Sequence, residues 1–413
     1  MTESVQPSGQ RIWDRCAALA QCSEETGALT RVFLSPEQRA ANALVQGWMR
    51  EAGMSARLDA IGNVVGRYEG SAAGAPCLML GSHLDTVRNA GKYDGMLGVV
   101  AAIDCVHVLH ERGAHLPFAI EVVGFADEEG VRFGATLLGS RAIAGTFDPT
   151  LLDSRDGAGT SMRDALTAFG LHPGNIAHAA RRRGDMLAYA ELHIEQGPVL
   201  EAEGLPVGVV TAINGATRLA VEIEGLAGHA GTVPMTLRQD ALAAAAECVL
   251  AIESRCASEP NLVGTVGRIE AAPGATNVIP GQARFTIDVR APRDDRRRQA
   301  VTDIEAGIRA IGTRRNVKVG IRRTHEGMTA ACAPWLQDQI GRAIEAEGLP
   351  ARRLPSGAGH DGMAIVDLVD IGMLFVRCEG GISHNPLEAI TVEDAELSAR
   401  VFLRFIEHFQ PAA

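Results

Sequence analysis

Through the first 210 residues, short apolar runs alternate with helical stretches, and this alternation restricts the chain to an α/β architecture. Cys77-Leu78-Met79-Leu80, Ile120 to Phe125 and Ala190 to Ile194 are too short for buried helices and read as buried strands. Between the first two lies a helical stretch from Met96 to about Arg112, closed by Gly113. Strand–helix–strand order of this kind predicts a layered α/β domain with a largely parallel sheet. Upstream, Ser35-Pro36-Glu37-Gln38 combines an N-cap, a proline at the first helical position and a capping-box glutamine. The helix it opens is expected to carry Leu44, Val45, Trp48 and Met49 on one face and to stop at Gly53. No internal repeat is visible.

The texture changes near Ile213. Arg218 to Glu224 alternates like a half-exposed strand, and Leu237 to Ser254 reads as an alanine-rich helix. Strand-like runs follow at Leu262 to Glu270 and Ala283 to Arg290, then a charged helix from Asp294 to Ile311 and a strand from Asn316 to Arg322. The order β-α-β-β-α-β predicts a ferredoxin-like α+β unit. The remainder returns to α/β texture and ends in a helix with Leu397, Val401 and Phe405 at i, i+4, i+8. The expected division is therefore 1–212, 213–324 and 325–413, an α/β domain interrupted by a smaller inserted one.

Charge narrows the partners. The chain has 39 Lys+Arg against 50 Asp+Glu, a net charge of −11, which disfavours nucleic acid or an anionic membrane surface. The arginine runs Arg181–Arg183 and Arg296–Arg298 sit beside acidic or polar residues and read as solvated faces. Eight scattered cysteines never form a C-x-x-C pair, so they read as reduced thiols rather than a disulfide framework or thiolate zinc site. Met1 to Trp13 lacks the apolar run of a signal peptide and no 18-residue apolar stretch follows, so a cytoplasmic location is expected.

The polar residues gather at strand ends. Gly81-Ser82-His83-Leu84-Asp85-Thr86 is expected to begin where the Cys77–Leu80 strand ends, with Gly91-Lys92-Tyr93-Asp94-Gly95 in the next loop. Asp127-Glu128-Glu129-Gly130 follows the strand through Phe125, His193 lies in Ala190–Ile194, and Gly381-Ile382-Ser383-His384-Asn385-Pro386 follows Ile371 to Val376. Groups just past the carboxyl ends of strands in an open α/β sheet converge on one crevice. Alone, each loop reads as an ordinary turn or a solvated acidic edge. Four such strand ends together form a mixed N/O ligand set suited to Zn²⁺ or Mn²⁺. Adjacent Glu128 and Glu129 point to opposite sides, so one can ligate a metal while the other faces water and substrate as general base.

These segments, with the run from Glu191 to Pro198, Gly228-His229-Ala230-Gly231 and Gly357-Ala358-Gly359-His360-Asp361, together resemble the amidase/hydantoinase/carbamoylase branch of the M20 metallopeptidase-like family. That branch holds N-carbamoyl-L-amino-acid hydrolases, allantoate amidohydrolases and β-ureidopropionases. The resemblance implies a mixed-sheet catalytic domain with an inserted lid that also makes a homodimer. It implies two divalent metals: His83 and His193 on one, Glu129 and His384 on the other, Asp94 bridging. Zn²⁺ or Mn²⁺ is expected, with Co²⁺ and Ni²⁺ also compatible. Glu128 would be the general base and Asp85 the partner that orients His83. His229 and Asn277 would stabilise the oxyanion, Arg290 would clamp the substrate carboxylate, and Gln196 and Gly359 would also contact substrate.

The expected activity is hydrolysis of the ureido bond of N-carbamoyl-L-amino acids to ammonia, carbon dioxide and amino acid. Allantoate or N-carbamoyl-β-alanine is the alternative substrate, and a non-catalytic ligand-binding dimer a remote one. Gly357 to Gly362 fits G-x-G-x-x-G, but it follows Arg352-Arg353-Leu354-Pro355-Ser356, which reads as a poor strand, so dinucleotide binding is discounted. No G-x-S-x-G elbow occurs, which disfavours a serine hydrolase.

Overall fold

The computed structural model describes residues 5–412 and divides into two compact units. The larger comprises the chain up to Thr211 with Ala331–Leu354 and the stretch from Ala358 onward; the smaller comprises Ala212–Ala330 and Pro355–Gly357. No helix among the described residues is long and apolar enough to cross a membrane.

The strands in chain order are β1 (Ser55–Leu58), β2 (Val64–Tyr68), β3 (Cys77–His83), β4 (Ala119–Phe125), β5 (Met186–Ile194), β6 (Val207–Ile213), β7 (Gly215–Glu224), β8 (Gly228–His229), β9 (Val263–Ala272), β10 (Val278–Ile279), β11 (Gln282–Ala291), β12 (Lys318–Gly327), β13 (Ala330–Ala331), β14 (Arg353–Ser356) and β15 (Ile371–Val376). The large sheet has the order β1-β2-β4-β3-β5-β15-β6-β13, with β14 on β6. It is mixed: the central run β4-β3-β5-β15 is parallel, while β2 on β4 and β6 on β15 are antiparallel. Every residue of β3, β4 and β15 is buried, as expected of strands covered on both faces.

The helix Met96–Glu111 packs on β3, β4 and β5 and is apolar nearly all round, because the helices Gly9–Ala20 and Val392–Glu407 cover its other side. Its one buried acid, Asp104, accepts bonds from the Arg11 side chain and the Ser8 amide. Gly98 in this helix has no room for a side chain, since a Cβ there would overlap the Leu192 carbonyl of β5. Gly98→Ala is therefore expected to destabilise the fold by about 3 kcal/mol in a urea titration, the overpacking cost outweighing the gain of up to about 1 kcal/mol in helix propensity. An unchanged midpoint would show that the helix can move off the sheet.

Local signals were partly displaced. Ser35 caps Pro36–Glu51 as expected, accepting from the Gln38 amide, but the Gln38 side chain bonds the Leu34 amide and the Ala126 carbonyl instead of closing a capping box. Its buried stripe is Ala41, Val45 and Met49, and Leu44 lies one step outside it, 37% exposed. The strand expected to end at Leu80 runs on through His83. The poor strand before Gly357 is a real one, β14, despite Pro355; it pairs β6, and only the four-residue helix Gly362–Ile365 follows.

In the smaller unit, β12-β7-β11-β9 form an antiparallel sheet. Alternate residues Leu219, Val221, Ile223 and Ala283, Phe285, Ile287, Val289 pack under the helices Ala241–Ala257 and Asp294–Arg314. The first of these helices begins later than Leu237, because Asp240 is the N-cap and accepts from the Ala243 amide. The order β-α-β-β-α-β is otherwise as read, with β8 and β10 forming a two-stranded ribbon of their own.

Candidate metal centre

Because β4, β3, β5 and β15 are neighbours and parallel, their carboxyl ends lie along one edge. His83 is the last residue of β3, His193 the last but one of β5, Glu128 and Glu129 follow β4, and His384 lies in the loop after β15. Asp94 comes from the loop between β3 and the helix at Met96. In that loop Gly95 has φ +69°, and a side chain there would strike the His83 ring.

The five groups meet around the Asp94 carboxylate. Its Oδ1 is 3.2 Å from His193 Nε2 and 3.8 Å from His83 Nε2, while Oδ2 is 3.0 Å from His384 Nε2. His384 Nε2 is also 3.3 Å from Glu129 Oε1. Two ligand groups result, His83–Asp94–His193 and Asp94–Glu129–His384, each with its donor atoms within 4.8 Å of one another. One carboxylate oxygen serves each group.

Tautomers give the test of fit. His83 Nδ1 lies 3.0 Å from the Asp85 carbonyl and His193 Nδ1 lies 2.9 Å from the Ile194 carbonyl, so in both rings Nδ1 carries a proton and donates it. The neutral ring then turns an Nε2 lone pair toward a carboxylate oxygen, and two acceptors face each other. The Gly95 amide reaches His193 Nε2 at 3.3 Å and Gln196 Nε2 reaches Asp94 Oδ1 at 3.1 Å, yet the two acceptors still face each other at 3.2 Å, an arrangement that a proton or a metal ion between them relieves. Imidazole nitrogens backed by carbonyls and mixed with carboxylates are a donor set for divalent transition ions, so the residues fit. Protons answer the same demand. Burial disfavours the imidazolium of His83 and of His193, yet Asp85 and Asp94 outweigh it for His83, and Asp94 for His193, raising both above the ordinary value. Hydrogen bonds to Asp94 and Glu129 push His384 up to about 10. Burial opposes ionisation of Asp94, but His193 and His384 overcome it and hold the carboxyl well below its usual range.

Glu128 stands beside His83 and Glu129. Burial, with Glu129, Asp361 and Asp85 nearby, raises its carboxyl well above the ordinary value despite His83. Such a carboxyl holds a proton more readily than a surface glutamate, which suits a group that must accept one and return it. The Asp85 carboxylate accepts from the Glu128 and Glu129 amides, at 2.9 and 3.1 Å, and lies 3.6 Å from the His83 ring, too far for a hydrogen bond. His83 is thus oriented by the Asp85 main chain, and the Asp85 side chain fixes the two glutamates. A Cβ on Gly359 would lie 3.5 Å from Glu128 Oε1. Gln196, at φ +56°, donates from Nε2 to Asp94 Oδ1 and Ser383 Oγ, at 3.1 and 3.2 Å.

Two neighbours were quoted within motifs but given no role. Glu191 is fully buried and accepts from Ser82 Oγ and Tyr189 Oη. The His360 ring packs edge-to-face on His193 with centroids 4.4 Å apart, and burial together with His193 holds it well below its ordinary value, hence neutral. A charged or aromatic residue inside an otherwise apolar strand or glycine loop was the available signal.

The smaller unit holds the other expected contacts. His229 pairs with Val278 across β8 and β10, and the Asn277 carbonyl accepts from the Ala230 amide. His229 Nδ1 accepts from the Gly231 amide at 3.0 Å, so the neutral ring carries its proton on exposed Nε2 as a free donor. Arg290 gives Nε and Nη2 to the two oxygens of Asp288 and Nη1 to the Gly357 carbonyl, at 2.8–3.1 Å. Its fork edge is therefore engaged within the unit.

Residues 79–408 match peptidase family M20/M25/M40. The chain is 42% identical over 394 residues to the N-carbamoyl-L-amino acid amidohydrolase of Geobacillus stearothermophilus, covering 95% of this chain and 96% of that one. It is 40% identical over 426 residues to the allantoate deiminase of Arabidopsis thaliana, covering 95% of this chain and 81% of that one. A solved amidase of the hydantoinase/carbamoylase family from Burkholderia multivorans superposes with a TM-score of 0.92 at 32% identity, covering 99% and 100%.

Proposed function

Since the chain belongs to peptidase family M20/M25/M40, we propose that it is an amidohydrolase cleaving the ureido C–N bond of N-carbamoyl-L-amino acids. The observation that carries this reading is the two-sided use of Asp94, whose oxygens each face a separate histidine-containing group, with Glu128 at the same edge. The 42% identity to an N-carbamoyl-L-amino acid amidohydrolase, over an alignment covering 95% of the chain, supports the substrate class.

In this reading His83, Asp94 and His193 hold one divalent ion, and Asp94, Glu129 and His384 hold the other, Zn²⁺ or Mn²⁺ being the natural choices. When bound, such a pair supplies Lewis acidity, making water more acidic and offsetting charge that develops on the carbonyl oxygen. Glu128 takes a proton from the attacking water and returns it to the departing nitrogen. Water oxygen bonds to the ureido carbon, the bond to the terminal nitrogen breaks, and ammonia leaves. The remaining N-carboxy amino acid loses carbon dioxide to give the free amino acid. His229, with Nε2–H free, and Asn277 donate to the oxyanion. Arg290, held by Asp288, offers its remaining N–H groups to the substrate carboxylate. Gln196 and Gly359 line the substrate side. The smaller unit acts as lid and dimer contact in the same proposal, and a cytoplasmic location fits eight free cysteines, all but Cys22 buried.

Ammonia release from a panel tests it: N-carbamoyl-L-amino acids, their D enantiomers, allantoate and N-carbamoyl-β-alanine, with enzyme reconstituted in Zn²⁺, Mn²⁺, Co²⁺ or Ni²⁺. The expected result is highest kcat/KM on an N-carbamoyl-L-amino acid. Turnover of allantoate alone would move the assignment to that substrate, and a flat panel would remove it.

A further inference from the structure

Glu388 is a carboxylate with no assigned task. It is 2% exposed, lies four residues beyond His384, and returns to the centre through a turn in which its amide donates to the Asn385 carbonyl. Among the described residues, no arginine or lysine is bonded to it. Instead Oε1 accepts from the Tyr93 and Asp94 amides at 2.8 and 3.0 Å, and Oε2 accepts from Ser383 Oγ at 2.9 Å. The loop carrying Asp94 presses onto this carboxylate so closely that a Cβ on Gly91 would overlap it. One side chain thus ties the backbone that presents Asp94 to the residue immediately before His384.

The consequence is geometric. Asp94 and His384 are 290 positions apart in the chain, and their atoms must stay near 3.0 Å from each other for the second ligand group to exist. His384 has φ +55° and a half-exposed side chain, so neither regular structure nor burial holds it. A carboxylate buried without a cation is tolerated only when its hydrogen bonds are complete, and here three donors from two separate loops complete them. We propose that Glu388 is a positioning residue for the metal centre, clamping the Asp94 loop to the Ser383–His384 loop and so setting the affinity of the Asp94–Glu129–His384 group for its ion. The inference rests on the metal centre described above and concerns a residue outside its ligands.

The test is Zn²⁺ uptake by the full chain after chelator treatment, read by equilibrium dialysis against buffered Zn²⁺, with circular dichroism and melting temperature alongside. Glu388→Ala is expected to weaken Zn²⁺ binding about 10- to 100-fold, the range for removing a residue that orients ligands. Glu388→Gln keeps an oxygen for both amides and an amide group that the Ser383 hydroxyl can accept from, so it should stay close to wild type. Ser383→Ala, which cuts only one strand of the clamp, should fall between them and covers the case that Glu388→Ala does not fold. Wild-type affinity in folded Glu388→Ala or in Ser383→Ala overturns the clamp. Equal losses in the alanine and glutamine variants, tracking melting temperature, also overturn it by showing a role in folding alone. A wild-type chain that takes up no Zn²⁺ overturns the underlying metal centre, and the clamp with it.

Discussion

Glu128→Gln is expected to leave the protein folded and its metal content intact while kcat falls about a thousand-fold. The substitution keeps the shape of the side chain but removes the basic oxygen, and Glu128 is not needed for either group built on Asp94. Because water can no longer pass its proton to this side chain, the loss belongs in kcat, with KM little changed. Metal content by plasma emission and steady-state ammonia release measure the two arms. Turnover within a few-fold of wild type would take the proton-transfer role away from Glu128. Loss of metal with activity would make it a ligand, as its place beside His83 and Glu129 allows.

The second large effect is expected at Asp94. Asp94→Ala removes an oxygen from both ligand groups at once, leaving His83 with His193 and Glu129 with His384 as pairs too small to retain an ion. Metal content should fall toward zero at micromolar free Zn²⁺, and ammonia release should become undetectable. Removing His83 alone cuts a ligand from only one group, so Asp94→Ala should cost more metal than His83→Ala. An Asp94→Ala protein that kept both its metal and its turnover would dismantle the shared-carboxylate centre.

What could be read from sequence followed the range of the interactions. The convergence of His83, the Glu128–Glu129 pair, His193 and His384 was legible because apolar runs mark strands and strand ends in an α/β sheet have known company, while the choice between the two glutamates came from the resemblance. Asp94 needed the resemblance, since Asp-Gly in a loop is ordinarily a turn. The β-α-β-β-α-β order was legible from alternation and helical period, but the start of the helix at Ala241 was not, because apolar Leu237 precedes the cap and ends 71% exposed. Leu44 misled in the same way: a helix shows which residues are apolar, and only the neighbouring strands decide which of them are covered. Glu388 left little local trace, since Ser383 lies five positions away but its other two partners are amides nearly 300 positions away. The engagement of Arg290 by Asp288 lay closer, two residues along β11, where alternation puts both on one face.

The strand order also has a bearing on biosynthesis. β15 sits directly beside β5, yet it leaves the ribosome about 180 residues later, after the whole of the smaller unit. At 5–20 residues per second that is a wait of roughly ten to forty seconds, during which the edge of β5 lacks its neighbour. His83, Asp94, Glu129 and His193 are already outside by then, and His384 is not. A nascent chain therefore exposes His83, Asp94 and His193 well before His384, so the residues of the Asp94–Glu129–His384 group are complete only once His384 has emerged.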